Sequence, residues 1–251
     1  MALTARVLIS FPVLCVALAG QSYVSYEGAG ADRLFRMSRA AVGGEASVAA
    51  VTSLVMKGTV KLTANDGGPS ERAIEIRVLL PRSYVRIETG GTWTRRSGFS
   101  GDTLLTEIRT GDTIDKPPAQ MAPALLRAEK ARLTRFLLGT ASITSPVVWL
   151  TLKQPGDVTE VGSNLGRVLE ARNDKEQFMT QAFYDTAAVP LRVEYEGGNR
   201  RISIAFSDRK QVGELMLPHT ITTTVDGNQL EEIRLGEIAV NRALTKADFG
   251  G

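Results

Sequence analysis

The sequence of 251 residues predicts an α+β fold in which one large, strongly curved antiparallel sheet is covered by two helices. Apolar and polar residues alternate with a period of two in successive runs between residues 54 and 240, a pattern typical of strands with one buried face. Two other segments, residues 32–41 and 124–138, carry the spacing of amphipathic helices. The pattern indicates roughly ten strands, and a sheet of that many strands tends to curl or close rather than stay flat.

The first predicted helix lies ahead of all the strands. Asp32 is placed to cap its N-terminus, and Leu34 and Phe35 belong to an apolar stripe that continues to Ala41. Gly43 follows directly and ends the helix. We therefore expect one short helix that packs on the sheet.

The first two predicted strands form a hairpin. Residues 54–62 and 74–80 both alternate, and the NDGGP stretch at residues 65–69 between them is dense in turn-forming residues. Further strands are predicted at residues 83–89, 93–99, 147–152, 167–171, 178–184, 187–196 and 200–207.

Two features stand out in the last third of the chain. Val212 and Gly213 predict a turn, after which Pro218 is expected to mark the entry of a strand and His219 its first position. In the final strand the apolar positions change parity across Gly236, which predicts a β-bulge there.

The second predicted helix contains neither Gly nor Pro and is rich in helix-forming residues. Leu125, Leu133, Phe136 and Leu137 lie on one side, but Glu129 interrupts their stripe. We expect this helix to cover the apolar face of the sheet, with a contact that is partly open to water.

The amino-terminal residues 1–19 have the pattern of a signal peptide. Arg6 is followed by a short apolar stretch that ends in small residues, so export with cleavage near Ala19 is predicted, followed by a flexible spacer over residues 20–31. The apolar stretch is too short to span a membrane, which takes about 20 residues. Lipid attachment at Cys15 is a weaker alternative, because Pro12 and Leu14 precede this cysteine at positions where a lipoprotein signal has small residues.

Composition and motifs argue against several classes of function. The net charge of +3 is small against 30 basic and 27 acidic residues, so we expect no nucleic-acid partner. The chain has one cysteine and one histidine, His219, and no metal-binding or nucleophile motif, so we expect no metal, no cofactor and no catalysis. A hydrolase acting on envelope material is the weakest of the functions considered.

The stretch FSDRKQVGELMLPH at residues 206–219, and IAVNRALTKADF at residues 238–249, resemble the closing half of the periplasmic lipoprotein carriers LolA and LolB. MKG at residues 56–58 and LPRSYVR at residues 80–86 are similar to the opening half of that family. The likeness covers most of residues 32–249, which we interpret as a single domain extending over residues 32–251.

The resemblance implies an incomplete β-barrel whose concave apolar face accepts acyl chains beneath helices. It also implies a periplasmic location and a carrier or sorting role, with a lipid or lipoprotein acyl chain and other envelope proteins as candidate partners. Arg86 is the nearest match to the arginine that ties the helical lid to the barrel in these carriers. No stable membrane span is expected after processing.

The inward-facing apolar residues are the candidate ligand contacts. Plain core filling uses the same residues, so a non-catalytic structural or interaction module with a filled core remains the alternative. The candidates are Leu125, Leu133, Phe136, Leu137, Leu191, Val193, Tyr195, Ile202, Ile204, Phe206, Ile221 and Val225.

Overall fold

The computed structural model describes residues 23–63, 70–156, 159–161 and 164–249. The predicted signal peptide, including Cys15, and the predicted turn at residues 65–69 lie outside the described residues.

The described residues form three α-helices, sixteen strands and two short 3₁₀ helices. The helices are α1 (Ala29–Ala41), α2 (Glu45–Ala49) and α3 (Ala122–Ala141), and the 3₁₀ helices lie at Ala119–Met121 and Lys246–Phe249. The first eight strands are β1 (Val24–Glu27), β2 (Ser53–Leu62), β3 (Ser70–Leu79), β4 (Ser83–Gly90), β5 (Trp93–Ser100), β6 (Thr103–Leu104), β7 (Glu107–Thr110) and β8 (Thr113–Asp115). The last eight are β9 (Leu150–Lys153), β10 (Thr159–Val161), β11 (Asn164–Asn173), β12 (Phe178–Tyr184), β13 (Pro190–Gly197), β14 (Arg200–Val212), β15 (Leu215–Val225) and β16 (Asn228–Val240).

All of these strands join one sheet that does not close into a barrel. The main path runs β1-β9-β11-β12-β13-β14-β15-β16-β2-β3-β4-β5-β7-β8, so the last long strand pairs with the first long strand in the middle of the sheet. Every pairing is antiparallel except that of β1 with β9. The predicted fold class, an incomplete barrel covered by helices, is confirmed.

The two longer helices cover one face of the sheet at different places. α1 packs against β1 and β9, whereas α3 contacts β5 and β6 at one end and β12 to β15 at the other. The apolar residues Leu133, Leu137 and Leu138 of α3 are almost fully buried against the sheet. This arrangement follows from the open sheet, because an apolar sheet face must be covered to be kept from water.

The described sheet has three register shifts, one of them between Thr223 and Thr224 of β15, and the other two are β-bulges that set the direction of nearby side chains. One lies between Leu235 and Glu237, at Gly236, as the change of parity predicted. Opposite it, Gly58 of β2 approaches the backbone so closely that an added Cβ would lie 1.9 Å from the Arg234 carbonyl oxygen. The second bulge interrupts the β12–β13 pairing, where Phe183 pairs with Arg192 but Tyr184 pairs with Pro190.

Two local expectations are corrected. Residues 24–31 are not a spacer, since they form β1 and the start of α1, and Val24 of β1 is buried in the core. His219 and Pro218 lie inside β15 rather than at its start, because the strand begins at Leu215, directly after the turn at Gly213. The missing N–H of Pro218 is tolerated there, since the β16 side of β15 is paired only from Thr220 onward.

Candidate ligand cavity

A cavity of about 310 Å³ lies between α3 and the concave face of the sheet. This volume falls at the lower end of the range for small-molecule pockets, roughly 300–1,000 Å³. Strands β13 to β16, together with β2 and β3, contribute most of its apolar wall. The apolar residues along the cavity are Leu62, Ile76, Tyr84, Phe136, Tyr195, Ile202, Ile204, Ile221, Val225, Leu230 and Ile233.

The sheet side of the cavity also carries a group of paired charges. Arg86 donates hydrogen bonds to both carboxylate oxygens of Glu231, at 3.1 and 2.8 Å, and its Nε lies 3.0 Å from an oxygen of Glu88. Arg72 donates a further hydrogen bond of 3.3 Å to Glu88. Burial works against a charged Glu231, yet Arg86 holds the pKa of this carboxyl below its ordinary value. Two arginines and two glutamates therefore neutralise one another at this wall.

The α3 side of the cavity carries Arg132 and Arg135. Arg132 donates hydrogen bonds of 3.1 and 3.2 Å to the two carboxylate oxygens of Glu129, one turn earlier. The prediction that the helix contact at Glu129 is partly open to water is wrong, because this residue is buried. Its burial raises the pKa of its carboxyl. Arg135 has its guanidinium carbon 3.6 Å from the centre of the Tyr195 ring.

The structure brings about half of the predicted ligand contacts to this cavity. Phe136, Tyr195, Ile202, Ile204, Ile221 and Val225 line it, as does Arg86. Leu133, Leu137, Val193 and Phe206 are instead packed in the hydrophobic core between α3 and the sheet. Leu125 is partly buried and does not line the cavity.

Leu191 lies away from the cavity. It packs in a small separate cluster with Val168 and Phe183. The reason is the β12–β13 bulge, which leaves Leu191 without a paired residue and breaks the alternation on which the prediction rested.

Arg86 does not tie α3 to the sheet, because its bonds go to Glu231 and Glu88, both on strands. That contact is made by Arg209 of β14, which donates hydrogen bonds of 2.8 Å to the carbonyl oxygens of both Gly139 and Thr140 at the end of α3. Sequence reasoning did not identify Arg209, although it stands within the stretch that carried the family resemblance. A cation near a helix C-terminus was the available signal, but the helix lies about seventy residues away in sequence.

His219 does not belong to a metal-binding group among the described residues. His219 is partly buried, and its Nδ1 lies 3.1 Å from the Leu217 carbonyl oxygen. No group of three or more histidine, cysteine, aspartate or glutamate side chains in the described part of the chain could hold a metal ion. Among the helices described, none has the length and apolarity needed to cross a membrane.

Comparison with known proteins identifies the fold. No family model matches the chain, and no curated protein matches its sequence. A domain assigned to outer membrane lipoprotein sorting, from Vibrio parahaemolyticus, superposes with a TM-score of 0.55 at 13% identity, over 86% of this chain and 94% of that one. A LolA superfamily protein from Nitrosomonas europaea gives 0.55 at 9% identity, over 87% and 96% of the two chains. A DUF1329 family protein from Desulfovibrio piger gives 0.55 at 8% identity, over 88% and 97%. The chain therefore has the LolA-like fold, as the sequence resemblance implied.

Proposed function

We propose that this protein binds a lipid or a lipoprotein acyl chain in the cavity beneath α3 and acts, without catalysis, as a carrier or sorting protein of the cell envelope. The observation that carries the proposal is the cavity of about 310 Å³ between α3 and the sheet. Its aliphatic residues Ile202, Ile204 and Ile221 come from adjacent strands and provide a continuous apolar surface. The likeness to a lipoprotein-sorting domain supports the same role.

The energetics of such binding are hydrophobic. Each buried CH₂ group of an acyl chain contributes about 0.8 kcal/mol, so burying six to eight of them would give an affinity in the micromolar to millimolar range before ordering costs. Release requires only that the tail return to another apolar environment, such as a membrane or a partner protein. We propose displacement of α3 as the step that opens the cavity.

The proposed location is the periplasm. Residues 1–19 support it, since a basic residue followed by a short apolar stretch and small residues is the pattern of an export signal. Intact mass measurement of the chain produced in a Gram-negative host tests this directly. We expect the mass of a processed chain that begins near Gly20, and the mass of the full-length chain would contradict export.

The test of lipid binding is native mass spectrometry of the purified chain, followed by solvent extraction and analysis of any bound lipid. We expect additional mass that is lost on extraction and corresponds to an acyl-containing molecule. A chain that purifies empty, and that also fails to bind an added acyl probe, would favour the alternative of an interaction module with a filled core. Both the lipid carrier and the interaction module would need a packed core, so the burial of Leu133, Leu137, Val193 and Phe206 does not distinguish between them.

A further inference from the structure

Within the described part of the chain, Arg135 of α3 lacks the carboxylate partner that two other arginines of the cavity have. Arg86 and Arg132 are each paired with a carboxylate, whereas Arg135 has no carboxylate within ion-pair distance among the described residues. Its guanidinium carbon lies 3.6 Å from the centre of the Tyr195 ring and 4.8 Å from that of Phe178. Arg135 is therefore held in place by aromatic rings rather than by a counter-ion.

The hydrogen-bonding capacity of Arg135 is largely unused. Its Nη2 donates one long bond of 3.4 Å to the Met179 carbonyl oxygen, and its buried Nε has no partner in the described structure. Burial lowers the pKa of Arg135 to about 10, so the side chain still carries its charge at neutral pH. A partly buried cation without an anion destabilises a protein, and stacking on aromatic rings offsets this only in part. Such a residue is a candidate for ligand binding.

The position of Arg135 gives it access to a ligand head group. Arg135 and Tyr195 line the cavity under α3 and also a neighbouring recess of about 510 Å³. They thus stand where the two spaces meet. Of the carboxylates of the recess, Glu194 is already paired with Arg192 and Arg201, and Glu196 is exposed to solvent.

A second positive charge lies along the same cavity. Arg95 of β5 is exposed and lines the cavity, and within the described ranges it forms no ion pair. After the pairings of Arg86 and Arg132 are counted, Arg95 and Arg135 remain as uncompensated charges beside the aliphatic residues Ile202 and Ile204. The cavity is consequently apolar and cationic at once.

We propose that the ligand is an anionic amphiphile, whose carboxylate or phosphate contacts Arg135 while its tail lies against Ile202, Ile204 and Ile221. This inference rests on the proposed function, since it names the chemical class of the lipid. The planar guanidinium suits an oxyanion because it presents several N–H donors in one plane. An acyl chain without charge would leave Arg135 desolvated and without a counter-ion.

The test uses displacement of a neutral fluorescent naphthylamine dye by three probes with the same tail: dodecanoate, dodecyl phosphate and dodecanol. In the wild-type protein both anionic probes are expected to bind about tenfold more tightly than dodecanol. Arg135→Gln should remove that preference and leave the binding of dodecanol within about twofold. Arg234→Gln is the matched control, because Arg234 is 73% exposed and pairs with Glu232 on its own strand.

Further variants keep the result interpretable if Arg135→Gln is unstable, as judged by circular dichroism. Arg135→Lys retains the charge and should keep part of the anion preference, and Arg95→Gln removes an exposed charge and should reduce the preference about twofold or more. The proposal would be overturned if Arg135→Gln weakened the binding of all three probes equally, or if the wild-type protein showed no preference for the anionic probes. Either result would leave the proposed function of lipid binding standing.

Two other outcomes distinguish this proposal from a site for free anions and from failure of the proposed function. Inorganic phosphate and acetate are expected not to compete with dodecyl phosphate at equal concentration, because they lack the tail. Competition by inorganic phosphate would overturn the proposal in favour of a site for free anions. Failure of every probe, dodecanol included, would instead reject the proposed function itself.

Discussion

Arg209 Nη2 donates a hydrogen bond of 2.8 Å to the carbonyl oxygen of Gly139, and the same guanidinium reaches the Thr140 carbonyl oxygen through Nη1. The carbonyl groups at the end of a helix lack intrahelical partners and carry a partial negative charge, so a partly buried cation beside them stabilises them. Arg209 also donates to the Pro190 and Met216 carbonyl oxygens of two strands. One side chain thus fixes the end of α3 to the sheet beside the cavity.

Replacing Arg209 should loosen α3. Arg209→Met keeps most of the side-chain volume but leaves four carbonyl groups without their donor, so we expect the free energy of unfolding to fall by about 3 kcal/mol or more. Urea denaturation measures this loss. Hydrogen exchange should also become faster at the amides in the last two turns of α3.

Arg200→Met provides the control for Arg209. Arg200 lies on the same strand, pairs with Asp226 and is 61% exposed, so its loss should cost less than about 1 kcal/mol. Equal effects of the two substitutions would show that Arg209 does not anchor the helix.

Gly139 itself is required by the close contact of α3 with Phe206. A Cβ at this position would lie 2.0 Å from a ring carbon of Phe206, which is buried and has little room to move. Overpacking of this kind costs about 1–3 kcal/mol, whereas the better helix propensity of alanine returns about 1 kcal/mol. We expect Gly139→Ala to lower the free energy of unfolding by up to about 2 kcal/mol, as measured by urea denaturation.

A second substitution tests the stated cause. Phe206→Leu in the Gly139→Ala background should recover part of the loss, because it removes the ring that the new methyl group meets. Gly236→Ala is the matched control, since no atom lies within 4 Å of an added Cβ there, and its effect should stay within about 0.5 kcal/mol. A destabilised double variant with no recovery would rule out the clash as the cause.

The strands could be predicted because the alternation of apolar and polar residues along a strand is a property of the local sequence. The bulge at Gly236 changes the parity of apolar residues on either side, and this signal is visible without coordinates. The bulge at Leu191 gives no such signal, since Leu191 and Val193 keep the same parity and the break shows only in the pairing with β12. Local sequence therefore assigned Leu191 to the cavity incorrectly.

The charged residues of the site were much less predictable. Glu129 interrupts an apolar stripe, a pattern that predicts exposure to solvent. It is nevertheless buried, because Arg132 donates a hydrogen bond to its carboxylate. Glu231 is 145 residues from Arg86 in sequence, and the Gly139 carbonyl is 70 residues from Arg209, so sequence spacing carries no information about these two contacts. Long, flexible side chains can reach several neighbours, and only the folded sheet decides which ones they meet.

The Arg86–Glu231 pair should make stability depend on pH. The pKa of Glu231 is lowered in the folded protein, so its contribution to stability is present above the ordinary carboxyl value of 4.5 and is lost as the pH falls through its folded value. Glu231→Gln leaves Arg86 with Glu88 alone and should cost about 3 kcal/mol at pH 7. The difference from wild type should narrow below pH 4.5.

Urea denaturation at pH 7, 5, 4 and 3 measures this dependence. Glu129 has a raised pKa, so its contribution is full below the unfolded value and is lost as the pH rises through its folded value, but it is present in both proteins and largely cancels in the difference. Glu232→Gln is the control on the same strand, because its partner Arg234 is exposed and the pair should contribute less than about 1 kcal/mol. A difference that stayed constant down to pH 3 would contradict the assignment to Glu231.

Filling the cavity should weaken binding without unfolding the protein. Val225 is partly buried and lines the cavity, so Val225→Trp places a large ring in the space that the tail is proposed to occupy. We expect dodecanol binding to weaken by about tenfold or more, with circular dichroism unchanged. Leu191→Trp is the matched control, because Leu191 is also a partly buried apolar strand residue but packs with Val168 and Phe183 away from the cavity. If Val225→Trp bound the probe as well as Leu191→Trp did, the acyl chain would have to lie elsewhere, because a side chain of that size leaves too little of the 310 Å³ for it.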